Sequence, residues 1–212
     1  MINNVKLGRI HSRDAEVNEY LDQMSAKRKL QVIDVGASAN FWCSHVTAIV
    51  DVKASTHTDI KSFIGNINYI DVWDEVLEYT RVHGKFDFSI CTHTLEDISN
   101  PLLVANMLSK VSKGGFIATP SKYVESRRSG AFGNSRGWMH HRWIFNHEDN
   151  NIVAYPKLPF TEYLQSLDIV GSQSGEEELS CYWEQSCDLV CINNDYFPSE
   201  GEGIQMYNRL ID

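Results

Sequence analysis

The 212-residue sequence has no Cys-x-x-Cys pair, and its five cysteines are an odd number. That usage points to reduced thiols and a cytoplasmic protein. Cys181, Cys187 and Cys191 share parity within strand-like segments. They read as core residues rather than ligands, so no metal site is expected. No apolar run approaches the roughly 18 residues of a membrane span. The first 13 residues are polar and lack the apolar segment of a signal peptide. There is no internal repeat and no low-complexity tract. Positive charge is the scarcer sign, with 19 Lys and Arg against 28 Asp and Glu and a net charge of −9. An acidic balance argues against a general nucleic-acid binder, and neither a nucleic acid nor a membrane is expected as a partner.

What is present suits a globular domain. At 42% hydrophobic residues the chain can bury a sizeable core. One domain over residues 1–212 is expected, with 121–157 as an insertion or lid and 196–212 as a polar C-terminal tail ending in a short helix. The most telling run is Val32-Ile33-Asp34-Val35-Gly36-Ala37-Ser38, with a second acid, Asp51, ending Ala48-Ile49-Val50 17 residues after Asp34. Two apolar strands each ending in an acid, the first turning on glycine, are the layout of a site for a ribose-bearing cofactor. The glycine admits the ligand close to the backbone, and the second acid accepts from ribose hydroxyls. The bland alternative is a strand, a turn and an edge charge.

Apolar periodicity predicts strands over 30–35, 47–52, 66–71, 86–91 and 116–119, alternating with helices over 13–27, 74–82 and 101–111. That alternation implies a doubly wound, mostly parallel α/β sheet. Beyond residue 140 the pattern changes. Segments 142–145 and 152–155 read as a β-hairpin, 161–167 as a short helix, and 179–184 with 188–193 as a closing antiparallel pair.

Charge is unevenly spread. Lys122, Arg127, Arg128, Arg136 and Arg142 face one acid, Glu125, within a Gly- and Ser-rich segment that also holds His140 and His141. Such a segment is either a clamp on an anionic substrate or a solvated loop whose arginines balance acids elsewhere. Phe41, Trp42, Trp138 and Trp143 either wall a pocket or pack in the core.

Several of these segments, in order, resemble the class I S-adenosylmethionine-dependent methyltransferases, in particular the type 11 group. Val32–Ser38 resembles the family's first glycine loop, and Asp51 the acid ending its second strand. The run from Phe86 to Asp97 is similar to its fourth strand with a Leu-Glu-His-type ending, although Asp97 stands where many members have histidine. Pro101 and Lys110–Gly115 resemble the following helix and glycine turn. Thr119-Pro120-Ser121 with Glu125, then His141-Arg142-Trp143, resembles a subset of the family.

The resemblance implies a Rossmann-like seven-stranded sheet ordered 3-2-1-4-5-7-6, strand seven antiparallel, with the hairpin outside it. It implies S-adenosylmethionine as cofactor. Asp34, Gly36, Ala37 and Ser38 would lie around the methionine part and Asp51 on the ribose. Asp71 would lie near the adenine, and Val52, Val72 and Thr92 would complete the cofactor site. His93 and His141 are the candidate catalytic residues, each with packing as the alternative. Arg127, Arg128, Arg136 and Arg142 are the candidates for holding a small anionic acceptor. The first loop keeps only one glycine, which leaves a catalytically degenerate ligand- or partner-binding domain as an alternative. A nicotinamide-dependent oxidoreductase is a weaker alternative, since no GxGxxG follows strand one.

Overall fold

A computed structural model describes residues 2–8, 12–26, 28–37, 42–128, 134–149, 151–173, 175–192 and 199–211. Its centre is β2 (Val32–Val35), a strand buried along its whole length. Ile33 and Val35 face one apolar cluster and Val32 the other, which is why the run has no polar face. Parallel to β2 lie β3 (Ala48–Asp51) on one side and β5 (Phe88–Thr92) on the other. Beyond these come β4 (Lys61–Ile64) and β6 (Gly114–Pro120), also parallel. Antiparallel to β6 runs β9 (Glu178–Glu184), and β1 (Ile2–Gly8) closes that edge. The sheet order is β1-β9-β6-β5-β2-β3-β4. Six of these strands follow the order the resemblance implies, and β1 takes the edge position of its strand six.

Helix α1 (Ser12–Ser25) covers one face, with Val17 and Leu21 buried. On the other face lie α2 (Ile70–His83) and α3 (Pro101–Val111). Asn100 caps α3 by accepting from the Leu103 amide at 3.1 Å. The hairpin is β7 (Trp143–Glu148) with β8 (Asn151–Pro156), outside the main sheet as expected. Between β6 and β7 stands the short α4 (Lys122–Ser126). After β8 come a 3-10 helix (Pro159–Tyr163) and α5 (Gln165–Ser172).

Two sequence expectations change, and two segments gain detail. The third parallel strand is β4, not 66–71. Only Phe63 of β4 is buried, so the strand carries little apolar signal. Asn66, meanwhile, forms a local turn by accepting from the Asn68 amide at 3.0 Å. The N-terminus, to which the sequence pattern assigns no element, forms the edge strand β1, its two asparagines masking the pattern. Segment 188–193 does not pair with β9, because β6 and β1 already occupy both its edges. It becomes β10 (Leu189–Cys191) and joins β8 in parallel. The tail holds the short helix expected there, α6 (Glu200–Asn208), and packs it into the core. Met206, Tyr207 and Leu210 there are buried against Ile144, Tyr155 and Leu167, and the Tyr207 hydroxyl donates to the Pro156 carbonyl.

At the start of the parallel strands, Asp87 joins three of them. Its carboxylate accepts from Arg28 at 2.6 and 2.7 Å, from Lys113 at 2.8 Å and from the Gln31 amide at 3.0 Å. The Arg28 hydrogen bonds, with those from Lys113 and Gln31, outweigh burial and hold this carboxyl far below the usual range. Its stabilisation is therefore present above about pH 4, the unfolded value, and fades as pH falls toward the depressed folded one. Asp87→Ala should lower the unfolding free energy at pH 7 by about 2 kcal/mol. In urea denaturation the difference from wild type should shrink on acidification below pH 4.

Candidate functional site

The carboxyl ends of the parallel strands converge where the sheet order reverses between β2 and β5. Gly36 follows β2 with φ of +77°, and its amide donates to Val50 of β3 at 2.9 Å. A Cβ at this position would stand 2.4 Å from the Thr94 side chain. Only glycine fits, on conformation and on space. Thr94 in turn donates to the Gly36 carbonyl at 3.4 Å. Sequence reading did not single Thr94 out, because its role is visible only across the crevice. Asp34 is buried, and Asp51 ends the neighbouring strand. Burial first, then the Asp51 charge, push the Asp34 carboxyl up to about 7, with Arg13 acting against them.

Thr92 ends β5 and accepts from Trp42 Nε1 at 3.4 Å, which puts that tryptophan at the crevice. Ala37 is half-buried beside Gly36, and Val52 is exposed just past Asp51. Ser38 and Phe41 lie outside the described residues. Asp71 does not end a strand. It is exposed in the first turn of α2, while Val72 is buried with its side chain against Gly65. The residues that follow β4 are instead Gly65, Asn66 and Ile67.

His93 does not present a free base. It adopts φ of +49°, and both ring nitrogens face buried glutamates. Nε2 donates to Glu178 at 2.8 Å and Nδ1 lies 3.2 Å from Glu96. Arg13 of α1 pairs with the same Glu178 oxygen. Burial works against the charged ring, but the hydrogen bonds to Glu178 and Glu96 prevail and raise its pKa to about 9. The result is an imidazolium that ties the end of β5 to β9.

The arginines separate into two groups. Arg136 is 1% exposed. Its guanidinium donates to the carbonyls of Thr161, Ser126 and Leu164 at 2.9–3.0 Å and to Asp168 at 2.7 Å. Arg128 donates to Asn134 and Glu162 carbonyls and to Asp168. Both serve as structural ties, and burial turns Arg136 away from any acceptor, whereas Arg128 stays exposed; the acids that balance them come from the 3-10 helix and α5, distant in sequence. Arg127 is exposed at the end of α4. Arg142 is exposed beside a cavity of about 600 Å³ that His140, His141, Trp143, Lys157 and Ser99 also line.

His141 is buried at this cavity. Its Nδ1 lies 2.7 Å from Glu125 Oε1, and Lys157 Nζ holds the other oxygen at 2.7 Å. Glu125 is fully buried. Gly137 allows the approach, since a Cβ there would meet Glu125 at 2.6 Å. Nε2 of His141 points toward Asp97, 3.6 Å away. Trp138 lies tilted against the ring, centroids 5.1 Å apart, whereas Trp143 donates inward to the Ile98 carbonyl at 2.8 Å.

The His93 latch has a pH signature. Its folded pKa lies above the unfolded value of about 6.5, so its contribution is complete below pH 6.5 and disappears as pH rises through about 9. The groups facing it are Glu96, Glu178 and, through Glu178, Arg13. His93→Gln should lower the urea midpoint clearly at pH 6 and much less at pH 10. Equal losses at both would remove the charged latch.

No family model and no curated protein matches the chain. Among solved structures, it is similar to the methyltransferase domain of bacterial CtHen1, at 14% identity and TM-score 0.47, over 81% of this chain and 97% of that one. The N-terminal domain of EvdMO1 with SAH bound is 10% identical at TM-score 0.41, over 81% and 80%. A methyltransferase-like protein from Bacillus halodurans is 14% identical at TM-score 0.40, over 81% and 99%. The chain's own strand order, parallel through β4-β3-β2-β5-β6 and then antiparallel at β9, is that of a Rossmann-like, class I methyltransferase fold.

Proposed function

We propose that the chain is an S-adenosylmethionine-dependent methyltransferase acting on a small anionic acceptor. The observation that carries this reading is the convergence of Asp34, the Gly36 turn and Asp51 where the sheet order reverses, the position at which open α/β sheets bind ligands. The residues fit the cofactor. Gly36 and Ala37 would pass along its methionine part, and Asp51 would accept from the ribose hydroxyls. The adenine would face Asn66 and Ile67 after β4. When bound, the cofactor supplies a sulfonium-activated methyl group for a nucleophile to attack.

The chain's own tasks are then to align the acceptor and to exclude water. Residues 121–157 take the acceptor side in this reading. Of the two histidines, His141 is the one suited to meet an acceptor, because Glu125 fixes its ring and its other edge lines the cavity. Arg142 lines the same cavity and offers an anion a planar, bidentate fork.

Calorimetric titration should give binding of S-adenosylmethionine and S-adenosylhomocysteine, and none of NAD. Asp51→Ala should weaken that binding at least tenfold, because each charge-assisted hydrogen bond is worth about 1.5–3 kcal/mol. Unchanged affinity would move the ribose elsewhere, and binding of NAD in its place would overturn the reading.

The acceptor side is tested separately. In an assay of S-adenosylhomocysteine release across small phosphorylated and carboxylated hydroxy compounds, Arg142→Gln should raise the acceptor KM several-fold. The cofactor's affinity should stay as in wild type. An unaltered KM would remove Arg142 from the acceptor site.

A further inference from the structure

Asp97 follows β5 by five residues, and His140 and His141 precede β7. Their donor atoms nonetheless gather within 4.8 Å of one another. Asp97 Oδ1 lies 3.6 Å from His141 Nε2 and 3.7 Å from His140 Nε2. These separations exceed a hydrogen bond. They lie close to the roughly 3.4 Å between two ligands that each sit about 2.1 Å from a tetrahedral ion. We propose that Asp97, His140 and His141 form a binding site for a divalent transition-metal ion of the zinc type.

Three features of the surroundings favour an ion over a loose charge pair. The first is orientation. His141 Nδ1 is engaged by the buried Glu125 at 2.7 Å, which fixes the ring and directs Nε2 outward. A carboxylate behind a histidine is the usual support for a metal ligand, raising its basicity and fixing its tautomer. Lys157 holds the second oxygen of Glu125, so that support is itself anchored.

The second is backbone anchoring on both sides of Asp97. The Arg142 amide donates to the Glu96 carbonyl at 2.6 Å, and Trp143 Nε1 donates to the Ile98 carbonyl at 2.8 Å. The loop bearing the carboxylate is thus stitched to the segment bearing the histidines, residue before and residue after. Little chain entropy remains to be lost when the three donors close on an ion.

The third is access. His140 and His141 line the cavity that Arg142 and Ser99 also line. Two imidazoles and one carboxylate leave at least one coordination position for a small oxygen ligand. An ion there lowers the pKa of a coordinated hydroxyl and neutralises its developing charge. This last role rests on the methyl-transfer reading, whereas the ion's binding does not. His141 would then be a ligand rather than a base.

The test uses the full chain, stripped with a chelator and without S-adenosylmethionine, titrated with zinc chloride by calorimetry. One Zn²⁺ per chain is expected. Asp97 and His140 are exposed, so Asp97→Ala and His140→Ala should fold as wild type by circular dichroism. Each should weaken binding at least tenfold, while Glu125→Gln should weaken it about tenfold through the ring it orients. Co²⁺ bound to the same site should show a ligand-field spectrum without thiolate charge transfer. Absence of Zn²⁺ binding, or wild-type affinity in both ligand variants, would overturn the site. So would thiolate charge transfer with Co²⁺, which would put the ion on a cysteine. Because no cofactor is present, failure here leaves the Asp51 titration untouched, and the converse holds.

Discussion

Two glutamates buried at the carboxyl end of the sheet, Glu178 and Glu96, must meet cations to remain there at all. A carboxylate removed from water and left unpaired costs several kcal/mol. His93 answers both, and Arg13 answers Glu178 a second time. Because Glu178 sits on β9, His93 after β5 and Arg13 on α1, this one charge cluster fixes three elements against each other. The left-handed backbone at His93 is held by the same contacts. Everything at that end follows from it. Thr94, one residue on, is brought against Gly36, and Asp97, four residues on, is brought toward the histidines before β7.

The region between β6 and β8 is organised by a second buried carboxylate, Glu125, between His141 and Lys157. The next residue, Ser126, offers its carbonyl to the guanidinium of Arg136, which also reaches two other carbonyls and Asp168. Together they knit α4, the 3-10 helix and α5 into a platform beside the second sheet. A basic segment in an acidic chain thus buries Arg136, ties Arg128 to acids at the surface, and leaves Arg127 and Arg142 exposed. Charge counted along the sequence cannot make that division, because Glu162 and Asp168 lie well beyond the segment they neutralise.

The parallel core was legible because burial on both faces demands continuous apolar runs. Val32–Val35, Ala48–Asp51 and Phe88–Thr92 carry that signature and were read within two residues of their ends. Edge strands give a weaker signal, since one side needs no apolar residue. β4 and β1 carry too little of it to stand out, and Asp71, which the apolar pattern puts at a strand end, starts a helix. Segment 188–193 was placed in the wrong sheet because strand propensity is local, whereas the vacancy of an edge belongs to the whole assembly.

The sequence by itself determined the parallel strands, the glycine turn with its two acids, and the hairpin that follows the basic segment. These depend on periodicity and on the backbone freedom of one residue, which are local properties. Only the tertiary structure decided the states of the side chains. It made His93 a doubly paired imidazolium, made Arg136 a buried tie, and set Asp97 facing two histidines more than forty positions away. Those outcomes depend on which distant group shares a low-dielectric space with which charge, and sequence neighbours carry no record of that.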